Sequence, residues 1–426
     1  MRPYSFFTSL PHWLLASLAT LAPVFGAVAQ TDPLSLEIAP AENVEKTSGN
    51  AKVFLEGSIG KASQRYRPKS LDTRRASFDL TYSDQFGPGL RAVFSDRIDV
   101  VHPTSPGADS TVNSLREAYL SWQPDGGNSV FDFGRINARS GPGYGYNPTD
   151  FFRDGSLRVL TSADPFALRQ NRIGSVMLRG QRLWNGGSLS VAYSPKLATR
   201  PSADGWSLDL GSTNNRDRFV VTLGTRISEV VNTQVLLYKE EGRSATVGAN
   251  MTALLSDAAT AHLEWTYGRE PDLLSRATSI VPGSVVSRNR FVGGTTYTTL
   301  GKTSITAEYQ YNGFALKHSN WAALGMVPGA QLGYLRGALR LQELAPRDAI
   351  LVYVTQKDLW LKDLDLTAYV RFNMRDSSKL AWFELRHHWS NFDLTFQLQQ
   401  NIGRANSEFG ILPDRRVMQV LGTYYF

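Results

Sequence analysis

Cysteine is absent from all 426 residues. The chain therefore has no disulfide framework, no thiolate metal site and no cysteine nucleophile. Histidine is scarce as well, with six in total. Beyond the first 29 residues they are His102, His262, His318 and the adjacent pair His387-His388, and no metal-ligand spacing emerges from them. Past residue 29 no run of about 18 apolar residues occurs, so no helical membrane span is expected. A strong charge of one sign is also missing. The formal net charge is +7, or +6 without Arg2, a mild excess that does not point to nucleic acid. Long helical periodicity, internal repeats and low-complexity tracts are all lacking.

The first 29 residues have the marks of a secretory leader. Arg2 supplies the basic start, "WLLASLATLAPVFGAVA" the apolar core, and Ala27-Val28-Ala29 the cleavage site. Residues 30–50 are polar and contain proline, and are expected to form a short periplasmic tail. From residue 51 onward, period-2 alternation dominates. In "NFDLTFQLQQ", Phe392, Leu394, Phe396 and Leu398 share one face, while Asp393, Thr395, Gln397 and Gln399 share the other. "LDLTAYVRFNM" and "ATAHLEWTYG" repeat the pattern, with Leu263, Trp265 and Val370 on apolar faces. Short turns such as "NGG" and "SDA" alternate with long connections. Tight periplasmic turns and longer extracellular loops give transmembrane barrels this asymmetry.

The expected fold is all-β: a transmembrane antiparallel β-barrel over 51–426. Strands are expected near 51–59, 72–83, 89–99, 111–122, 129–136, 170–184, 187–195, 216–228, 231–239, 244–256, 258–268, 288–300, 303–311, 349–357, 364–374, 379–389, 391–401 and 414–426. That makes about 18, an even number, as closed bacterial single-chain barrels require. The segment 333–342, "GYLRGALRLQ", would make the count odd. It is placed in a long extracellular loop over 312–348, where its spacing suits a helical turn or two. The last strand, "VMQVLGTYYF", is amphipathic and aromatic at its end, which suits recognition by barrel-assembly machinery. Outer-membrane lipid and lipopolysaccharide are the expected surroundings.

Alternation also sorts the charges. Lys52, Arg75, Arg91, Arg97, Arg179, Arg218, Arg226, Arg290, Arg371 and Arg386 are expected to point inward. So are Glu56, Asp79, Glu117, Glu264, Glu308, Asp365, Glu384 and Asp393. Two readings are open. The charges pair across strands and fill a wet interior, or unpaired arginines form a track for an anionic solute.

One connection stands out. "GRINARSGPGYGYNPTDFFRDGSLR", from Gly134 to Arg158, opens a linker far longer than the about 12–15 residues beyond which loops are usually functional. It carries Arg135, Arg139, Arg153 and Arg158. Its glycines and Pro142 allow a tight, non-helical course. Thr149 or Asp150 could cap a short helical turn, and Asp164-Pro165 offers a second cap and first-turn pair. Tyr144, Tyr146, Phe151 and Phe152 give it something to pack. Residues 137–168 are expected to fold inward and narrow the pore, with an outward lid as the alternative. Candidate solute-contacting residues are Arg135, Arg139, Arg153, Arg158, Arg91, Arg226, Arg371, Arg386, Glu117 and Tyr119.

"LREAYLSW" (115–122), "FDFGR" (131–135), "NPTDFF" (147–152) and "LRHHWSNFDLTFQLQQ" resemble porin-like Gram-negative outer-membrane barrels. Among these they are most similar to large single-chain channels that include alginate-export-like proteins. The resemblance implies an outer-membrane channel without cofactor, passing small polar or anionic solutes or saccharides. An exopolysaccharide export channel, or a non-transport barrel such as an enzyme or assembly factor, is the alternative. The mixed charge departs from the strongly basic tunnel that the alginate-export type implies. No plug domain or helical repeat is expected before the first strand, which argues against energised receptors and synthase-dependent exporters. His318-Ser319-Asn320 loosely resembles the Ser, His and Asn of outer-membrane phospholipases. That family spaces its His and Ser differently, and adjacent residues on a strand would face apart. No catalytic residue is assigned.

Overall fold

The structure, a computed structural model, describes residues 50–104, 108–124, 126–278 and 283–426. The expected leader, and the expected tail apart from Asn50, lie outside the described residues. The chain forms one sheet of 18 antiparallel strands that closes on itself. In order they are β1 (Ala51–Gln64), β2 (Leu71–Gly87), β3 (Leu90–His102), β4 (Thr111–Trp122), β5 (Ser129–Ile136), β6 (Ser175–Trp184), β7 (Gly187–Ser194), β8 (Arg218–Ser228) and β9 (Val231–Glu240). The second half holds β10 (Thr246–Ser256), β11 (Ala259–Pro271), β12 (Val285–Thr298), β13 (Thr303–Asn312), β14 (Asp348–Gln356), β15 (Leu364–Asn373), β16 (Lys379–His388), β17 (Phe392–Ile402) and β18 (Asp414–Tyr425). Each strand pairs with its chain neighbours, and β18 closes against β1 from Phe54↔Tyr425 to Gln64↔Asp414.

The reason these segments form strands is the two-sided environment. Leu394 and Val370 point outward and are exposed, while Asp393 and Thr395 point inward and are buried. Nearly every strand repeats this. A closed ladder satisfies nearly all main-chain groups within the wall. Outward aromatics mark the rims: Trp122, Phe131, Trp184, Tyr297 and Tyr424 near the short turns, and Tyr193, Phe219 and Tyr267 near the long loops. Such girdles flank the apolar band of outer-membrane barrels.

Among the described residues the long connections carry five short helices: α1 (Pro165–Gln170), α2 (Leu210–Thr213), α3 (Leu273–Thr278), α4 (His318–Leu324) and α5 (Ala330–Arg340). Asp164 caps α1 as the sequence suggests, its carboxylate accepting from Ala167 N at 3.1 Å with Pro165 in the first turn. That helix corrects the expected start of the sixth strand, which begins at Ser175 and not at 170. No helix follows Thr149 or Asp150. The Thr149 hydroxyl is instead bonded to Glu264 at 2.8 Å. The 333–342 segment lies mostly within α5, inside the 313–347 loop.

A bulge in β4 corrects the alternation in one place. Ser95 pairs with Glu117 but Asp96 pairs with Leu115. Arg116 is thereby turned into the lumen beside Glu117. There it grips Asp79 with two nitrogens, at 2.5 and 2.8 Å.

The outward set should tolerate no charge. Replacing Leu263 by Arg near the middle of the apolar band should cost about 2–4 kcal/mol. It should lower the temperature at which the folded barrel converts to the slower-migrating unfolded form on semi-native gels. An unchanged transition would mean that Leu263 does not face lipid.

Candidate functional site

The connection between β5 and β6 enters the barrel and crosses it. Two lumen carboxylates on the facing wall receive its main chain. Glu264, on β11, accepts from Gly143 N at 2.6 Å, Asn147 Nδ2 at 2.9 Å, Thr149 N at 3.3 Å and the Thr149 hydroxyl. Glu308, on β13, accepts from Tyr144 N at 2.5 Å and Gly145 N at 3.0 Å. His262 Nε2 lies 2.8 Å from Glu308 and its ring is 5.9 Å from that of Tyr144.

The glycines make this approach possible. Gly141 has φ +90, and a Cβ there would fall 2.3 Å from the Glu264 carboxyl. A Cβ on Gly145 would fall 2.5 Å from Gln310 Nε2. The sequence "SGPGYG" thus brings bare backbone against a carboxylate wall.

Aromatic packing holds the remainder of the segment. Phe151 stacks on Tyr238 of β9 with centroids 4.4 Å apart, and Phe152 lies under the Arg218 guanidinium at 4.7 Å. Phe166 of α1 meets Tyr144 edge-on at 4.9 Å and Tyr353 at 5.5 Å. From Tyr353, stacked rings continue to Tyr369 and Trp382 on β15 and β16. The Tyr369 hydroxyl donates to Ala163 O at 2.7 Å, and that of Tyr353 to Asp164 at 3.1 Å. Burial pushes the Asp164 carboxyl up to about 6, against the bonds it receives.

A buried ion cluster ties this segment to two other extracellular loops. Glu343 receives Arg290 at 2.9 Å, Arg153 at 3.1 Å and Arg276 at 3.2 Å, and the Tyr146 hydroxyl at 2.6 Å. Glu270 shares Arg290 and Arg276. Burial alone would raise the Glu343 carboxyl, but the three guanidiniums outweigh it and hold it well below the usual carboxylate range.

What remains open is a cavity of about 520 Å³ between the inward segment and the wall formed by β1–β3 and β14–β18. The loop side contributes Leu157, Leu160, Leu168 and Leu339. The wall contributes Arg75, Arg371, Gln399 and Gln419. Arg371 lies 3.5 Å from Glu408 and over the Phe409 ring at 5.2 Å. Burial raises the Glu408 carboxyl to about 7, although Arg371 draws it down.

Most of the lumen charges are paired. Arg97 contacts Glu56, Asp79 and Asp99, and Arg75 also reaches Glu56. Arg386 pairs with Glu384 at 2.8 Å and Arg179 with Asp132 at 2.7 Å.

The candidates named from sequence are not gathered at one place. Arg371 lines the cavity. Arg153 is at the ion cluster and also donates to Asn147 O and Asp150 O. Arg139 neighbours Glu117, whose carboxylate accepts from Asn137 N at 3.4 Å. Tyr119 packs beside Ile136, Met177 and Ala192. Arg91 lies near the periplasmic end of β3, and Arg226 is exposed just before the turn that ends β8.

Arg135 requires correction. It pairs with Ala118 and Val176, two outward positions, and so faces away from the lumen. There it donates to Leu115 O and to Leu208 O at 2.6 Å. Arg158 also leaves the pore, bonding to carbonyls of Asn113, Asp204 and Ser207. The sequence reading missed Arg116, hidden by the bulge. It counted Glu264 and Glu308 only as lumen charge.

No family model matches the sequence, and no curated protein matches it. Among solved structures, the chain is similar to Acinetobacter baumannii OccAB1, with a TM-score of 0.56 at 9% identity over 88% of this chain and 96% of that one. Its likeness to a mutant of Rh. blastica porin is looser, with a TM-score of 0.43 at 10% identity over 88% and 100%. The expected link to alginate-export-like channels is not shown by these similarities. Closed ladder, outward apolar band and aromatic girdles together make this chain an 18-stranded Gram-negative outer-membrane β-barrel, a fold it shares with OccAB1.

Proposed function

We propose that the barrel is a channel for small polar or anionic solutes, and that the inward segment sets its aperture. The carrying observation is the set of six hydrogen bonds from residues 143–149 to Glu264 and Glu308 across the lumen. Tied in this way, the segment divides the barrel and leaves one side open. A cavity of that size suits a small solute better than a polymer chain, so exopolysaccharide export is the weaker reading. Enzymatic chemistry gains no support: Ser319 and His318 are exposed on α4, and the Ser319 hydroxyl bonds to Asn320.

Selectivity follows from Arg371. Its guanidinium is half-buried in a passage with low-dielectric walls, where a charge acts strongly on a passing ion. Protonated Glu408 leaves that cation unbalanced, whereas ionised Glu408 cancels it. Anionic solute is therefore favoured below about pH 7 and less favoured above it.

Replacing Glu308 by Ala should free the amides of Tyr144 and Gly145. Single-channel conductance in planar bilayers should rise and the open current should become noisier. An unchanged trace would mean that the segment does not set the aperture.

The second expectation concerns pH. Anion preference, read as the reversal potential across a KCl gradient, should fall between pH 6 and pH 8. Glu408→Gln should hold the pH 6 value over that range. Arg371→Gln should lower the preference at both. A Glu408→Gln channel that still followed the wild-type curve would remove Glu408 from the account.

A further inference from the structure

The wall has a break. β4 runs from Thr111 to Trp122, but β5 pairs with it only between Ala118 and Trp122. Above that level β5 and β6 have ended, at Ile136 and Ser175. Among the described residues the upper edge of β4 therefore has no strand beside it, at a height where β1–β3 still present Leu55, Phe78 and Val100 to lipid.

Pieces of loop fill the break. Asn113 N donates to Gly205 O at 2.8 Å, and Gly174 N to Arg116 O at 2.9 Å. The carbonyls of Leu115 and Asn113 accept from the side chains of Arg135 and Arg158. The same two arginines hold the strap formed by residues 204–208 through its carbonyls. On the far side of the break, the Asn214 amide imitates a strand, bonding to both N and O of Val176 at 2.9 and 2.8 Å.

The lipid face is polar here as well. Asp96 lies on the outward face between Phe94 and Ile98, and its carboxylate receives Asn113 Nδ2, at 3.0 and 2.8 Å. An ionisable group at such a position marks a functional site by default. On the inner side, Leu157, Leu160 and Thr161 line the cavity while Arg158, from the same stretch, reaches into the break. One short piece of chain thus separates the cavity from the break. Leu160, Trp206 and Leu208 are all exposed around it.

We propose that this break is a side door through which a small amphipathic molecule, an apolar body with one polar group, passes between the cavity and the outer leaflet. The proposal rests on the channel reading above and adds a second route to it. The leucines of the inward segment receive the apolar body. The seal is built of side chains and loop segments, so it opens by local loop motion without unzipping a ladder. The strap 204–208 is the moving part, and Arg135 and Arg158 are its fastenings. They are positioning residues, since their bonds go to main chain and not to solute.

The chain has no cysteine, so a pair can be introduced and bridged specifically. Gly205 lies against Thr111, whose carbonyl oxygen is 2.0 Å from where a Gly205 Cβ would stand. Thr111→Cys with Trp206→Cys, joined by a bifunctional maleimide on the folded barrel, pins the strap to β4. The probe is N-phenyl-naphthylamine, which fluoresces in lipid and is excluded by an intact lipopolysaccharide leaflet. Cells bearing the unbridged double variant should take it up several-fold faster than cells without the barrel. Bridging should return uptake to background while KCl conductance of the purified protein stays the same. Uptake unaffected by bridging, with normal conductance, overturns the side door alone. Uptake and conductance falling together also overturn it, since the strap would then belong to the main pore. No KCl conductance before bridging overturns the channel reading itself.

Discussion

A chain crossing lipid must satisfy each main-chain N–H and C=O from within itself. The continuous ladder from β1 round to β18 meets that demand almost everywhere. Its inner face is thereby left to water and charge, and its outer face to apolar side chains. Where the ladder stops short, at the upper edge of β4 and at Val176 of β6, the same demand recruits Arg135, Arg158 and Asn214. These side chains stand in for a missing strand.

Inside, the balance is different. The lumen can hold charge, but low dielectric makes an unpaired one costly. Most arginines of the wall are consequently spent on carboxylates. Two other wall carboxylates, Glu264 and Glu308, take backbone amides instead. That choice brings a glycine-rich segment across the barrel. Glu343 then gathers arginines from the inward segment, from α3 and from β12, so that three loops share one anchor. The interior of a wide barrel is thereby divided without any further strand, with the cavity to one side of the segment.

The strands were legible because lipid and water impose opposite chemistry on alternate residues, a signal that survives in a single sequence. All eighteen stand at or close to the expected positions. The bulge at Leu115–Glu117 was not legible, since one inserted residue leaves the local pattern intact on either side. Arg135 is a different case. In "FDFGR" it shares parity with Phe131 and Phe133, so its outward direction was present in the alternation. Grouping it with the loop arginines concealed this. The inward segment's composition raised the idea of a fold into the lumen, but its partners could not be found. Glu264 and Glu308 are more than 110 residues away from the amides they hold.

That separation bears on how the barrel is built. The six bonds at Glu264 and Glu308 can form only once β5, β6, β11 and β13 have all joined the sheet. Until then residues 137–174 have no wall to lie against and must remain in water, where their arginines and glycines suit them. Loop closure over so many residues is slow to be repaid, because the chain entropy is lost before the contacts form. The narrow passage is therefore a late product of assembly, and a barrel that has inserted but not finished would be wider than the mature one. Its transient permeability would end when the last carboxylate found its amides.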